Sequence, residues 1–155
     1  MQLIPLLSMP RAAEVRSKPP VDRIQTESWE TQIGVLAQIL AHHTGTPDVC
    51  HFAWWEGNSA FDGIRDRVPK IVINGLRYLV LRGPVQRATE PFYGLAPVMW
   101  WPSDRQWFVC SPSDFPCTYV GASEAAVDRI LNAAALEALA ARPDDPVSGD
   151  SDTEN

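Results

Sequence analysis

Pro69-Lys70-Ile71-Val72-Ile73-Asn74-Gly75-Leu76-Arg77-Tyr78-Leu79-Val80-Leu81 is the stretch that decides how this chain folds. Two runs of β-forming residues flank Asn-Gly, the dipeptide that supplies the two positive φ angles of a type I′ turn. The segment therefore reads as a two-residue hairpin. In that register Ile73 faces Leu76 and Ile71 faces Tyr78 on one side of a sheet, while Val72, Leu79 and Leu81 point to the other. Both sides are apolar, which predicts a hairpin central in its sheet and covered at least partly on both faces.

Working outward, Gly83-Pro84 opens a short turn or helix through Ala88. A second hairpin is expected over residues 98–111, with Pro102-Ser103-Asp104-Arg105 as a four-residue loop. That loop would set Trp100 opposite Trp107 and Met99 opposite Phe108. After the turn Ser113-Asp114-Phe115-Pro116 a last strand covers 117–120, Gly121 bends the chain, and Ser123 caps a helix with Val127, Ile130, Leu131 and Ala134 as its apolar stripe. Upstream, residues 49–55 are aromatic-rich, end at Gly57 and read as a strand. Before them Trp29, Ile33, Leu36, Leu40 and His43 recur at helical spacing. Ser28 stands at the N-cap, Glu30 in the first turn, and Gly45 with Pro47 as the stop, so a helix is predicted over 29–44. The order α, six β, α predicts an α+β fold. Its antiparallel sheet has about five or six strands, with an N-terminal and a C-terminal helix on one face. No β-α-β alternation suggests a nucleotide-binding crevice.

The chain has 155 residues, enough for one domain. Residues 1–23 carry four prolines and little periodicity and read as a flexible N-terminal arm, with residues 24–141 as the single domain. Residues 142–155 hold five acidic residues against one arginine and no aromatic, the composition of a disordered acidic tail. The net charge of −6 disfavours a nucleic-acid surface, since phosphate neutralisation relies on clustered Lys and Arg. The thin basic cluster Arg11, Arg16, Lys18 and Arg23 reads as solvated. Three cysteines, an odd count without an evident signal peptide, point to reduced thiols in the cytoplasm. The apolar start, Met1 to Leu7, lacks a charged leader and is broken by Pro5 and Pro10. No stretch approaches membrane-spanning length, so no membrane is expected.

Several chemistries lack their motifs. There is no phosphate loop, no G-x-G-x-x-G, no G-x-S-x-G elbow and no H-E-x-x-H. His42 and His43 are adjacent and point to different sides of a helix. A zinc site from Cys50, His51, Cys110 and Cys117 is the metal hypothesis worth naming. However, Cys50 and His51 are strand neighbours on opposite faces, and Cys110 and Cys117 do not form a C-x-x-C knuckle. Buried free thiols are the better reading, and no metal or cofactor is expected. Glu56, Asp62, Asp104 and Asp114 sit at strand ends and turns, where acids usually solvate loops or bind backbone amides. No catalytic residue is singled out.

Tryptophan stands out. Of the six, Trp54 with Trp55 and Trp100 with Trp101 are adjacent pairs on strands. Strand neighbours project to opposite faces, so one indole of each pair should leave the helix-covered core. Loops, the arm or a homodimer partner would cover it, or it forms a recognition surface. Arg105 beside these rings is of the type that anchors interfaces.

The stretch Trp101-Pro102-Ser103-Asp104-Arg105-Gln106-Trp107-Phe108-Val109, followed by Thr118-Tyr119-Val120-Gly121-Ala122-Ser123 leading into a helix, resembles a group of uncharacterised actinobacterial proteins. So do His43-Thr44-Gly45-Thr46-Pro47-Asp48, Phe52, Trp55-Glu56-Gly57 and Leu81-Arg82-Gly83-Pro84. The resemblance spans roughly residues 28 to 140 and implies no activity. It has no motif position that requires a thiol at Cys110 or Cys117. In architecture alone the chain is also similar to the Smi1/Knr4-like immunity and regulatory proteins. They open with a helix, run an aromatic-rich antiparallel sheet and close with a helix, but fold analogy does not transfer function.

Three functions follow as expectations. The first is a non-enzymatic protein-binding module, regulatory or immunity-type, working through an aromatic sheet face. Its binding residues would be Trp54, Trp55, Glu56, Trp100, Trp101, Asp104, Arg105 and Trp107, and its partner another protein or a second copy. The second is a small-molecule or carbohydrate binder with a tryptophan platform. The third is a hydrolase using Glu56, Asp104 or Asp114, which requires a carboxylate with a raised pKa in a cleft.

Overall fold

In the computed structural model, which describes residues 11–16, 28–113 and 117–142, Asn74 and Gly75 have φ angles of 50° and 79°. They close the expected type I′ hairpin between β3 (Lys70–Ile73) and β4 (Leu76–Gly83), numbered here by their order in the whole chain. Ile73 lies opposite Leu76 and Ile71 opposite Tyr78. The other elements are β1 (Arg11–Arg16), α1 (Trp29–Ala41), β2 (Cys50–Trp55), β5 (Met99–Pro102), β6 (Phe108–Cys110), β7 (Cys117–Ala122), α2 (Glu124–Leu131) and β8 (Ala138–Ala141). The protein is α+β. Among the described residues its sheet has eight strands in the order β3-β4-β2-β5-β6-β7-β1-β8, and every pairing is antiparallel.

Local chemistry sets the helix starts. The Ser28 side chain accepts from the Thr31 N–H and that of Ser123 from the Ala126 N–H, so each satisfies a donor that the first turn leaves free. One sheet face, carrying Phe52, Trp54, Leu79, Trp100, Val109 and Val120, meets Ile33, Leu36 and Leu40 of α1 and Val127 and Ile130 of α2. Fully burying such a side chain contributes about 1.5–3 kcal/mol, and this layer is the core.

Three expectations change. The first hairpin is not central: β3 is the edge strand, and Val72 is about half exposed there. In the second hairpin Trp100 pairs with Val109 and Met99 with Cys110, two residues away from the expected register. Trp107 stays out of β6 and is buried beneath the loop, where its indole donates to the Leu40 carbonyl at 2.9 Å. That tertiary bond lengthens the loop and shifts the register by two, which preserves each residue's face. Finally, Arg11–Arg16, assigned by composition to a flexible arm, is a strand paired with both β7 and β8. The prolines at 10, 19 and 20 flank this run without interrupting it. β8, built of helix-favouring Ala and Leu, extends the sheet to eight strands, so tertiary pairing overrides propensity. The rest of the arm, Asp114 and residues 143–155 of the acidic tail lie outside the described residues.

Candidate functional site

Alternation along the strands sends His51, Ala53 and Trp55 of β2 to the face opposite the helices. Cross-strand pairing adds Tyr78, Val80 and Arg82 of β4 and Met99 and Trp101 of β5. Neither helix lies on this face. Ala53 and Met99 are buried at its centre, while Trp55 is 48% exposed. Trp55 stands opposite Tyr78, and its indole lies over Gly57, where a Cβ would come within 2.2 Å of the ring. Only glycine permits that approach, which gives the Trp55-Glu56-Gly57 motif a structural reason.

A second row crosses the same face. Arg82 is opposite His51, and His51 is opposite Trp101. The Trp101 indole is stacked between His51, at 5.6 Å and 14°, and Phe108, at 5.7 Å and 24°. Both of its ring faces are thus occupied and its edge remains. Burial, with the nearby guanidinium groups of Arg82 and Arg105, lowers the His51 pKa. His51 Nδ1 is buried without a hydrogen-bond partner.

The sequence-derived candidates do not converge on this face. Trp54, Trp100 and Trp107 belong to the helix-covered core and are at most 4% exposed. The Trp54 indole donates to the Leu95 carbonyl at 2.9 Å, and Trp100 meets Trp107 edge-on at 5.2 Å. Satisfied N–H groups and interlocked rings are the mark of packing.

Glu56 is buried and held by Lys70 Nζ and Arg77 Nε, each at 2.6 Å from a different carboxylate oxygen. This ties the end of β2 to both strands of the first hairpin. The hydrogen bond from Lys70 leads in lowering its pKa, burial opposes, and the nearby cations reinforce the fall.

Asp104 is a clasp. It accepts from the Thr44 hydroxyl and the Gly45 N–H, both at 2.7 Å, and from the Gln106 N–H at 3.3 Å. Its own N–H donates to the Thr46 hydroxyl at 3.2 Å. Burial pushes its pKa up, but these hydrogen bonds together outweigh burial and leave it lowered. The Thr-Gly-Thr loop after α1 and the Ser103-Asp104-Arg105 loop after β5 are thus one joined structure. Neither acid has the raised pKa that acid catalysis at neutral pH requires. Arg105 is exposed beside the clasp at φ 60°, in the left-handed region.

The thiols are dispersed. Cys50 lies on the helix side, donates toward the Thr46 and Pro47 carbonyls, and is pushed up to about 11 by burial and then by Asp104 and Asp48. Cys110 is on the helix-free face and rises to about 11 by burial, with Cys117 adding to it. Among the described residues no group of three His, Cys, Asp or Glu side chains could hold a metal ion, and no helix is long and apolar enough to cross a membrane.

Sequence reading missed His51, Arg82 and Tyr78 as members of the face, although their strand positions carry the same alternation as Trp55 and Trp101. It also missed the Phe92-Tyr93-Gly94-Leu95 turn, closed by reciprocal backbone bonds of 2.9 and 3.1 Å with positive φ at Tyr93 and Gly94. The Tyr93-Gly94 pair is the available signal. It raises Tyr93, 56% exposed, over Phe61 and Phe92.

Comparison of the chain with models of known protein families, with curated proteins and with solved structures finds no match.

Proposed function

We propose that this domain is a non-enzymatic protein-binding module, of regulatory or immunity type, that works in the cytoplasm through the helix-free face of its sheet. The observation that carries the reading is the exposed Trp55 beside the stacked His51-Trp101-Phe108 row, on a face to which neither helix contributes cover. Large exposed aromatics are characteristic anchors of protein interfaces. The free thiols suit a reducing compartment. The partner is another protein or a second copy of the chain, and neither nucleic acid nor membrane.

The alternative readings are weaker on the same geometry. A sugar stacks on an open ring face, and both faces of Trp101 are taken by neighbouring rings. A hydrolase needs a carboxylic acid poised near neutral pH, whereas Glu56 and Asp104 are ionised and bound to structural partners.

The test is affinity capture from native lysate with the wild-type protein and a Trp55→Asp variant. The reading expects a stoichiometric partner retained by the wild type and lost by the variant. No stoichiometric partner in the wild-type sample, together with a monomer in analytical ultracentrifugation, would sink it.

A further inference from the structure

The Arg82-His51-Trp101 row presents hydrogen-bond donors and positive charge with no acceptor among the described residues to meet them. Arg82 and Arg105 are exposed, and among the described residues neither is in an ion pair. This is notable in a chain whose acidic residues outnumber its basic ones, 19 against 13. The Trp101 indole N–H has no acceptor among the described residues either. Because Trp101 is stacked on both faces, it offers its ring edge outward, and the edge of an aromatic ring is its electropositive part. His51 adds a buried Nδ1 that no described group satisfies. A buried nitrogen without a partner is costly and asks for an explanation.

The geometry points to a carboxylate-binding site, formed by Arg82, Arg105, His51 and the edge of Trp101, that takes an acidic peptide segment of a partner protein. The assignment rests on the protein-binding reading above and names the chemistry of the partner. Guanidinium groups bind carboxylates through charge-assisted, often bidentate hydrogen bonds. Arg82 stands on β4 and Arg105 in the loop after β5, the strands on either side of β2, and both guanidinium groups lie near His51. Donors spread across strands match carboxylates carried at intervals along an extended chain better than one compact phosphate group.

The experiment is a titration of the full chain with fluorescent hexaglutamate peptide, read by anisotropy. Hexalysine peptide, inorganic phosphate and three substituted full-length proteins serve as controls. Saturable binding of hexaglutamate is expected, absent for hexalysine and weakened about tenfold or more by Arg82→Gln and by Arg105→Gln. Both arginines are exposed and outside the core, so the variants keep the fold, which circular dichroism checks. No saturable binding, or binding by either variant as tight as by the wild type, overturns the site. Phosphate displacing the peptide at equal concentration assigns the site to a phosphate and overturns the peptide assignment. The third variant carries Asp144→Asn, Asp145→Asn, Asp150→Asn and Asp152→Asn. Binding that emerges only in this protein assigns the site to the chain's own acidic segment and overturns the partner. Should hexaglutamate fail while Trp55-dependent capture persists, the carboxylate site falls and the protein-binding reading stands. The reverse result removes that reading and leaves an anion site.

Discussion

The two faces of the sheet use the same residue type in opposite ways. On the helix side Trp54 and Trp107 are sealed in and their N–H groups are matched to backbone carbonyls of Leu95 and Leu40. On the other side Trp55 is half exposed, and Trp101 is stacked but keeps an edge without an acceptor among the described residues. A buried indole must have its polar atom satisfied, because an unmatched donor in the interior costs about 1–3 kcal/mol. An indole at a surface has no such constraint. At Trp54 and Trp107 a matched N–H accompanies burial, whereas Trp100 is held in the core by ring packing against Phe52 and Trp107.

That contrast breaks first at Trp107. Trp107→Ala removes a fully buried ring that contacts Trp100 and is expected to destabilise the fold by about 3–5 kcal/mol. The measurement is the urea midpoint at constant slope. A change as small as that of a surface substitution would mean the loop over Leu40 repacks freely, and the contrast between a sealed and an exposed indole would lose its energetic meaning. Trp107→Phe separates volume from hydrogen bonding: it keeps most of the packing but removes the indole's bond to the Leu40 carbonyl, which still accepts from the His43 N–H, at a cost of about 0.5–1.5 kcal/mol.

Asp104→Ala comes next, with a loss of about 1–3 kcal/mol, since the Thr44 hydroxyl and the Gly45 N–H lose their acceptor. Because this clasp also holds the loop that carries Arg105, the substitution should weaken hexaglutamate binding beyond its effect on stability. Equal peptide affinity in a folded Asp104→Ala protein would show that the loop's position does not matter to the site.

How far such features can be read from sequence depends on whether their cause is local. Asn74-Gly75, Ser28 and Ser123 act within a few residues of themselves, and the hairpin register and helix starts follow from them directly. Trp107 is tied to Leu40, far away in the chain, so the second hairpin's register was hidden from any reading confined to its own turn. β1 and β8 exist because β7 has an edge to extend, and neither run advertises a strand by itself. For the candidate site, alternation requires one indole of each pair to leave the core. Which one leaves depends on the side where both helices pack. Asp104 and Glu56 look like free acids at strand ends until their partners Thr44, Gly45, Lys70 and Arg77 are brought to them by the fold.

The ion pair at Glu56 makes the comparison pH-dependent. Its folded pKa lies below the ordinary 4.5. A carboxylate depressed by folding contributes stability that is fully present above its unfolded pKa and is lost as pH falls through the folded value. Asp104, also lowered, acts in the same direction. The wild type is therefore expected to lose stability on acidification below about pH 4.5. Glu56→Gln should be less stable than wild type near pH 7, and the gap should narrow as the pH falls below 4.5 and through the lowered folded value, where the native carboxylate protonates. Urea midpoints across that range provide the check. A constant gap would mean that packing, and not charge, holds the hairpin to β2.

The smallest expected effect is the one on which the open face depends. Trp55→Ala deletes a side chain that is 48% exposed and whose described contacts are a cross-strand neighbour, Tyr78, and the backbone of Gly57. Cross-strand pairs of this kind contribute about 0.2–1 kcal/mol, so the urea midpoint should move far less than in Trp107→Ala. Acrylamide quenching gives an independent reading, because loss of Trp55 should remove a readily quenched component of the emission, whereas Trp107→Phe should remove a protected one. If Trp55→Ala instead costs as much stability as Trp107→Ala, and the quenched component survives it, then Trp55 is packed in solution. The difference between the two faces would then vanish, and with it the argument that one of them is a binding surface.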